Sequence, residues 1–403
     1  MTTMDSRVTF TRASNATYFD GSGILRTAGN NVPRFDVNPT TLAPLGLLIE
    51  EQRTNSIRNN TMQGAVAGTP GTAPTNWTMV GTLSGLTREI VSIGVENGIN
   101  YIDVKWSGTT SAAVSSAILA QAEQSSAVAA SVGQSWSSSW YLRLVGGSVT
   151  GIGALNIQLT ERDSAGALLA AQSSSILSSI NSNDLATQRY TISRTLTNAA
   201  VAQLGCEVRL SIPTSTAVDF TLRIGLPQLE LGAFATSVIP TTTAAATRNA
   251  DVASMTSTNF SSWYRADEGT MYAEASTYDV SSGRTPFSIT DGTVQNRIHV
   301  NASTSIKAFI SNGGAVQLTL SISSVTYTNN TFSKTILAYA NNNGNAAANG
   351  TIGTDDTSIT IPTVSEAGLG KVGAASNILN GTIRKIAYWP VRLENAKLQQ
   401  LTR

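Results

Sequence analysis

The residues able to do chemistry are few and scattered. The chain holds one histidine, His299, and one cysteine, Cys206. Serine hydrolysis needs a base beside its nucleophile. His299 lies in the strand-like run Asn296-Arg-Ile-His-Val300 with no nucleophile elbow near it, so it reads as structural. One histidine and one cysteine cannot build an ordinary zinc site, and no metal ligands are assigned. Cys206 takes an apolar position in the alternating run Cys206-Glu-Val-Arg-Leu-Ser-Ile212 and reads as a small buried side chain without a disulfide partner. No phosphate-binding glycine loop precedes a helix. Glycoside hydrolysis uses two carboxylates about 5–10 Å apart. The nearest sets are Asp267-Glu268 with Glu274, at a turn before Gly269, and Asp355-Asp356 in a Gly/Asn-rich loop. Exposed acids are ordinary in such places, so the chain is expected to be non-enzymatic. Calcium is the one ion that loop carbonyls and acids could take. Asp251, Asp291 and Asp355 are conceivable ligands, but no spacing singles them out. No other cofactor is expected.

Sugar recognition asks for less: an exposed aromatic face and nearby polar groups that set orientation. Trp77, Tyr101, Trp106, Trp136, Trp140 and Tyr141 are concentrated in one stretch. Trp106 and Trp140 share strand faces with aliphatic residues and read as core. Tyr101 and Tyr141 fall on the opposite faces, and Trp136 lies in Gln134-Ser-Trp-Ser-Ser-Ser139, so these three are the glycan-contact candidates. Tyr264, Tyr327 and Tyr339 are undetermined.

Charge narrows the partners. Lys and Arg number 26 against 25 Asp and Glu, a net charge of +1. That offers no electrostatic footprint for nucleic acid or an anionic membrane. No apolar run reaches the roughly 18 residues of a membrane span. Met1 to Phe10 lacks the apolar core of a secretion signal, so synthesis in a cytosol is expected.

The elements that must position these residues are strands. Charged residues are only 13% of the chain while 41% is apolar, which favours folding over disorder. Period-two alternation recurs: Ile102, Val104 and Trp106; Trp140, Leu142 and Leu144; Leu155, Ile157 and Leu159; Val208, Leu210 and Ile212; and Val218, Phe220, Leu222, Ile224 and Leu226. One face of each such strand belongs in a core and the other in water. The fold class that follows is all-β, with two antiparallel β-sandwich domains of jelly-roll or lectin-like type after an irregular N-terminal attachment segment. The divisions are 1–60 for that segment, 61–240 for the first sandwich, 241–251 for a linker, and 252–403 for the second. Residues 1–60 are rich in turn formers and poor in core formers, so they should pack on a neighbouring domain or another subunit. Residues 110–131 suit a short helix or a strand with a long loop. The linker has no aliphatic residue larger than Ala and should contribute little core. After Pro390, the run Arg392 to Leu401 uses good helix formers and predicts a short closing helix.

Several stretches carry a family resemblance. Val8-Thr-Phe-Thr-Arg-Ala-Ser-Asn-Ala-Thr-Tyr-Phe-Asp20, Pro33-Arg-Phe-Asp36 and Gly46-Leu-Leu-Ile-Glu-Glu-Gln-Arg-Thr-Asn55 resemble the opening of a group of phage structural proteins, the head-spike and tail-fibre proteins. Pro227 to Thr242, closing with Thr247-Arg-Asn-Ala-Asp251, is similar to the end of the carbohydrate-binding-module-like jelly roll in that group. Trp263 to Glu274 and Ile386 to Leu393 look like the first and last parts of a laminin-G/concanavalin-like sandwich. The resemblance implies a virion protein with an attachment segment, in which Arg12, Phe19, Phe35, Leu48, Ile49 and Arg53 are the assembly candidates. It also implies copies of itself (a trimer rather than a pentamer), a capsid or tail protein, and a host surface glycan as partners. It carries over no sugar-binding residues.

Overall fold

The computed structural model describes residues 4–80, 82–124, 127–281, 283–374 and 376–403. The chain is all-β: its described elements are antiparallel strands, with only short helical pieces such as Asn395–Leu401. The closing helix forms where the sequence predicts it, and Leu398 is buried against the outer face of the second sandwich beside Tyr272 and Ile336.

The first sandwich packs two sheets. One runs, in spatial order, Arg189–Thr195, Ser135–Ser148, Ala217–Leu231, Ile99–Thr109, Leu86–Glu96 and Thr82–Leu83. The other runs Val114–Gln121, Gln203–Ile212, Ala154–Arg162 and Leu168–Ser175. Alternation dictates the core: Trp106, Trp140, Leu142, Leu155, Ile157, Phe220, Leu222 and Ile224 are all fully buried between the sheets. Trp106 and Trp140 are therefore core, as their aliphatic strand-mates require. The ambiguous stretch 110–131 supplies the strand Val114–Gln121, which pairs with Gln203–Ile212.

The second sandwich is built from both ends of the chain. One sheet runs Thr9–Thr11, Val252–Thr256, Glu366–Leu369, Phe287–Thr290, Arg297–Val300, Ile306–Asn312 and Ala315–Ser321. The facing sheet runs Thr351–Ile352, Asn343–Ala348, Ser333–Ala340, Glu268–Thr277, Gly381–Trp389, Pro44–Ile49 and Phe35–Val37. The N-terminal segment thus adds an edge to each sheet. Phe10 pairs with Ala253, and Leu47, Leu48 and Ile49 pair with Ile383, Thr382 and Gly381. The described part of residues 1–60 packs within the same chain: its outer strands join the second sandwich, while Leu25 packs on the first beside Ile99 and Tyr141. Gly46 permits the close approach: its φ is +102°, and a Cβ there would sit 2.1 Å from the Ile383 carbonyl oxygen.

The stretch 241–251 is a junction, not a bare spacer. Its strand Ala246–Arg248 pairs with Arg53–Asn55. Small residues let a polar core form around it. Arg12 and Arg34 both donate to the Asp251 carboxylate, at 3.0 and 2.5 Å, and Arg34 and Arg248 reach Glu50 at 2.8 and 3.1 Å. All five side chains are wholly shielded from solvent. Burial acts to raise Glu50, but Arg248, Arg34 and the Ser237 hydrogen bonds outweigh it and hold the carboxyl at about 2.

Candidate functional site

Two solvent-open concavities among the described residues bear on function. The first lies in the second sandwich where its sheets part, and has a volume of about 690 Å³. Its walls are apolar, including Met255, Trp263, Tyr264, Phe287, Ile386 and Tyr388. The strand Gly381–Trp389 borders it: that strand pairs with Pro44–Ile49 only from Gly381 to Ile383, and a bulge at Arg384 turns it aside. Trp263 stands edge-on to Tyr388 with ring centroids 4.9 Å apart. Three of the cationic lining residues have acidic partners, Arg7 with Asp5, Arg265 with Asp267 and Glu268, and Arg384 with Glu274, while the Lys385 ammonium lies over the Tyr272 ring.

The second is a polar cleft of about 380 Å³ between the two sandwiches. One wall is an outer sheet face of the first sandwich. There the register sets Ser137 opposite Ser193, Ser139 opposite Thr191, and Tyr141 opposite Arg189. This ladder of hydroxyls ending in a guanidinium faces away from the core because Ile192 and Trp140 occupy the alternate positions. The other wall comes from Ala233-Phe234-Ala235, Tyr278, Asn329 and Asn330. Phe234 and Tyr278 form a tilted aromatic pair with centroids 5.8 Å apart. Arg53 and Arg284 stack over Phe234 at 4.8 and 5.4 Å from its centroid.

The cleft's polar groups are well fixed yet not used up. Ser137 donates its hydroxyl to the Phe234 carbonyl at 2.9 Å. Arg189 donates to Ser139 Oγ and to the Thr236 carbonyl, both at 2.8 Å, through Nη2 alone. Its Nε is buried without a partner among the described residues. Asn329 accepts from the Val280 amide at 2.9 Å, leaving its own NH₂ to donate elsewhere. Thr191, Ser193 and Asn330 are exposed. Burial, with the negative Glu50 and Asp36 nearby, pushes Tyr278 well above the usual phenol range, so its hydroxyl stays a neutral donor.

The glycan candidates from the sequence are placed as follows. Tyr141 does lie on the outer sheet face, but it is only 1% exposed. Leu25, Leu185, Leu226 and Val238 pack over it, and the Arg189 guanidinium sits 5.5 Å from its ring centroid. Trp136 is 6% exposed, belongs to the core of the first sandwich, and donates its indole N–H to Gln134. Neither ring can present a face to a sugar, which corrects both assignments. Tyr101 is half-buried, and Arg223 covers its ring at 3.6 Å. In the second sandwich Tyr327 and Tyr339 are buried, and Tyr264 is half-buried on the apolar cavity.

The assembly candidates are taken up inside the chain. Arg12, Leu48, Ile49 and Arg53 are buried, and Phe19 and Phe35 are half-buried. The four buried ones hold this chain's own parts together and offer little surface to another subunit, whereas Phe35 lines the open apolar cavity. The conceivable calcium ligands lie in separate elements, each with protein partners: Asp251 with arginines, Asp291 with Thr293 and Asn296, Asp355 with Asn345 and Asn395. Among the described residues no three acid, His or Cys side chains converge as a metal site. His299 is buried against Phe309 with Nδ1 3.1 Å from Thr285 Oγ1, and burial pushes it down to about 3. Cys206 is buried, which raises its thiol far above the reactive range.

Sequence reasoning missed the cleft because its residues come from five separate stretches. The local signal was present: the run Ser137-Ser-Ser139 alternates hydroxyls onto the outer face, beside the tryptophan that drew attention instead.

No family model matches the chain, and no curated protein is similar to it. Among solved structures the chain is similar to the CBM40 domain of the Ruminococcus gnavus IT-sialidase bound to α2,3 sialyllactose, at 16% identity over 34% of this chain and 84% of that one, with a TM-score of 0.29. It is similar to Trypanosoma rangeli sialidase in complex with the inhibitor DANA at 12% identity over 38% of this chain and 26% of that one, TM-score 0.27. A third likeness, to the N-terminal CBM22-1–CBM22-2 tandem domain of Paenibacillus barcinonensis Xyn10C, spans 83% of this chain and 96% of that one at 11% identity and a TM-score of 0.23. At these scores the likenesses carry no argument about ligand or activity.

Proposed function

We propose that this chain is a surface component of a bacteriophage-type particle that holds host glycans in the cleft between its two sandwiches, without bond-making chemistry. The observation that carries the glycan part is the cleft itself. Hydroxyls of Thr191 and Ser193, amides of Asn329 and Asn330 and one guanidinium line it beside the Phe234–Tyr278 aromatic pair. That is a donor-rich, sequence-fixed surface of the kind that orients a saccharide. No carboxylate lines it among the described residues, so it lacks the acid pair of a glycosidase. What supports the particle role is the resemblance of residues 8–55 and 227–251 to phage head-spike and tail-fibre proteins. On this reading the partners are copies of itself and a capsid or tail protein.

A second reading is a decoration or baseplate protein with no working sugar site. It is favoured by the apolar cavity, whose lining suits a protein contact better than a sugar. One comparison separates the two: the purified chain and its Ser193→Trp variant on a glycan array. Ser193 is exposed at the cleft, so the indole fills the space without disturbing the core. Binding by the parent that the variant loses supports glycan attachment; no binding by the parent at millimolar sugar favours decoration. Imaging intact particles at modest resolution tests the particle role by locating the protein on head or tail.

A further inference from the structure

Among the described residues the cleft has one charged lining residue, Arg189. We infer that the cleft selects saccharides bearing a carboxylate and that Arg189 is the residue that pairs with it; this rests on the glycan-binding reading above.

The neighbouring arginines show what is unusual here. Arg53 is paired with Glu51 and Arg284 with Asp279. Arg189 makes no ion pair among the described residues. Its contacts are a serine hydroxyl, a backbone carbonyl and the face of Tyr141. It is half-buried, and its Nε, like that of Arg53, has lost water without gaining an acceptor among the described residues, so the missing ion pair is what sets Arg189 apart. A guanidinium that is partly desolvated and lacks an anion is costly to hold, and an incoming carboxylate recovers that cost through charge-assisted hydrogen bonds. Nη2 is occupied on the protein side, which leaves Nη1 for the ligand. Arg53 and Arg284 are neutralised by Glu51 and Asp279, and the nearby Glu230 carboxylate is taken up by the Thr236 amide and hydroxyl, which leaves Arg189 as the lining cation with no carboxylate of its own among the described residues. The remaining polar groups are neutral, as the hydroxyl-bearing remainder of a sugar requires. Contact with both Tyr141 and Thr236 also gives Arg189 a structural duty, so the test must read charge preference and not affinity alone.

Two matched pairs of probes do this by calorimetry on the full chain: tetragalacturonate against its methyl ester, and sialyllactose against lactose. The acidic member of at least one pair is expected to bind about tenfold or more tightly than its neutral counterpart, and less tightly as salt is raised. Arg189→Gln should erase that ratio, and Arg189→Lys should keep part of it, while circular dichroism verifies folding of each. Ser193→Trp should abolish binding of every probe. Equal binding of acidic and neutral members, or a preference that survives Arg189→Gln, overturns the charge inference and leaves glycan binding standing. No binding of any of the four probes, together with a blank glycan array, overturns both.

Discussion

Replacing Asp251 with Asn should unfold more of this protein than any single surface change. The carboxylate serves two buried guanidiniums, Arg12 at 3.0 Å and Arg34 at 2.5 Å, and accepts the Glu50 amide at 2.9 Å. Asn keeps the shape and one acceptor but removes the charge that both arginines face. Breaking a buried ion pair by neutralising one partner costs about 3–5 kcal/mol, because the other charge stays buried. With two arginines on one acid, the upper end, about 5 kcal/mol, is the expected loss. At about 2–4 °C per kcal/mol for a unit of this size, the melting temperature should fall by about 10–20 °C. Differential scanning calorimetry and urea titration measure both quantities. Hydrogen exchange adds location: amides of Thr9–Thr11 and of residues 45–49 should lose protection, since those strands are tied down beside the junction. Asp267→Asn, in the exposed pair with Arg265, is the control and should leave melting unchanged. A loss below about 1 kcal/mol for Asp251→Asn would refute the reasoning. So would destabilisation confined to the first sandwich, because the junction would then not be what holds the N-terminal strands.

Other consequences are testable in the same assays. Burial raises Asp36 to about 6, above its unfolded value, so its ionisation opposes folding and stability from this group is lost as pH rises from about 4 to 6. Asp36→Asn should flatten that slope and stabilise the protein at pH 7 by about 1–3 kcal/mol. His299 works on the acid side: burial lowers it to about 3, so the unfolded chain takes up the proton first and stability falls as pH drops below about 6.5. His299→Gln should make the decline between pH 7 and 4 shallower, as followed by urea midpoints. Gly46→Ala should cost about 2–4 kcal/mol and expose the amides of Leu47–Ile49, since its Cβ would collide with the Ile383 carbonyl at a positive φ. Wild-type stability in that variant would show that the strand can shift to accommodate a side chain.

Local periodicity carried the fold class and most of the core. Val218 to Leu226 and Leu155 to Leu159 alternate in sequence and are buried as their pattern requires. Periodicity says nothing about which strand pairs with which, so the sharing of Thr9–Thr11 and Pro44–Ile49 with strands more than two hundred residues later could not be read. Burial of charge was equally hidden. Arg248 and Asp251 sit among Ala and Thr in a stretch with no apolar bulk, which looks like a spacer; they are buried because acids and arginines from residues 12–50 converge on them. The misplacement of Tyr141 has the same origin. Its strand face was assigned correctly, but what covers that face comes from distant segments around Leu25, Leu185 and Val238.

These hidden features are physically one system. The segment Phe234 to Ser237 runs from the cleft wall into the junction. Thr236 accepts from Arg189 through its carbonyl and from Arg248 through its hydroxyl, while Ser237 donates to Glu50 from both amide and hydroxyl. A continuous polar chain therefore links the guanidinium of the cleft to the buried arginine–carboxylate cluster. Apolar contacts are indifferent to small sliding motions, whereas hydrogen bonds and ion pairs fix direction as well as distance. A cleft whose two walls belong to different sandwiches needs that directional control, because its volume and the approach of Asn329 and Asn330 to the serine ladder depend on how the sandwiches are set against each other. The dry polar junction supplies it, at the cost of burying charges that an apolar core would not contain. Arg12, Arg34 and Glu50, all from the N-terminal segment, thus act from inside the chain, as part of the frame that holds the cleft's two walls in register.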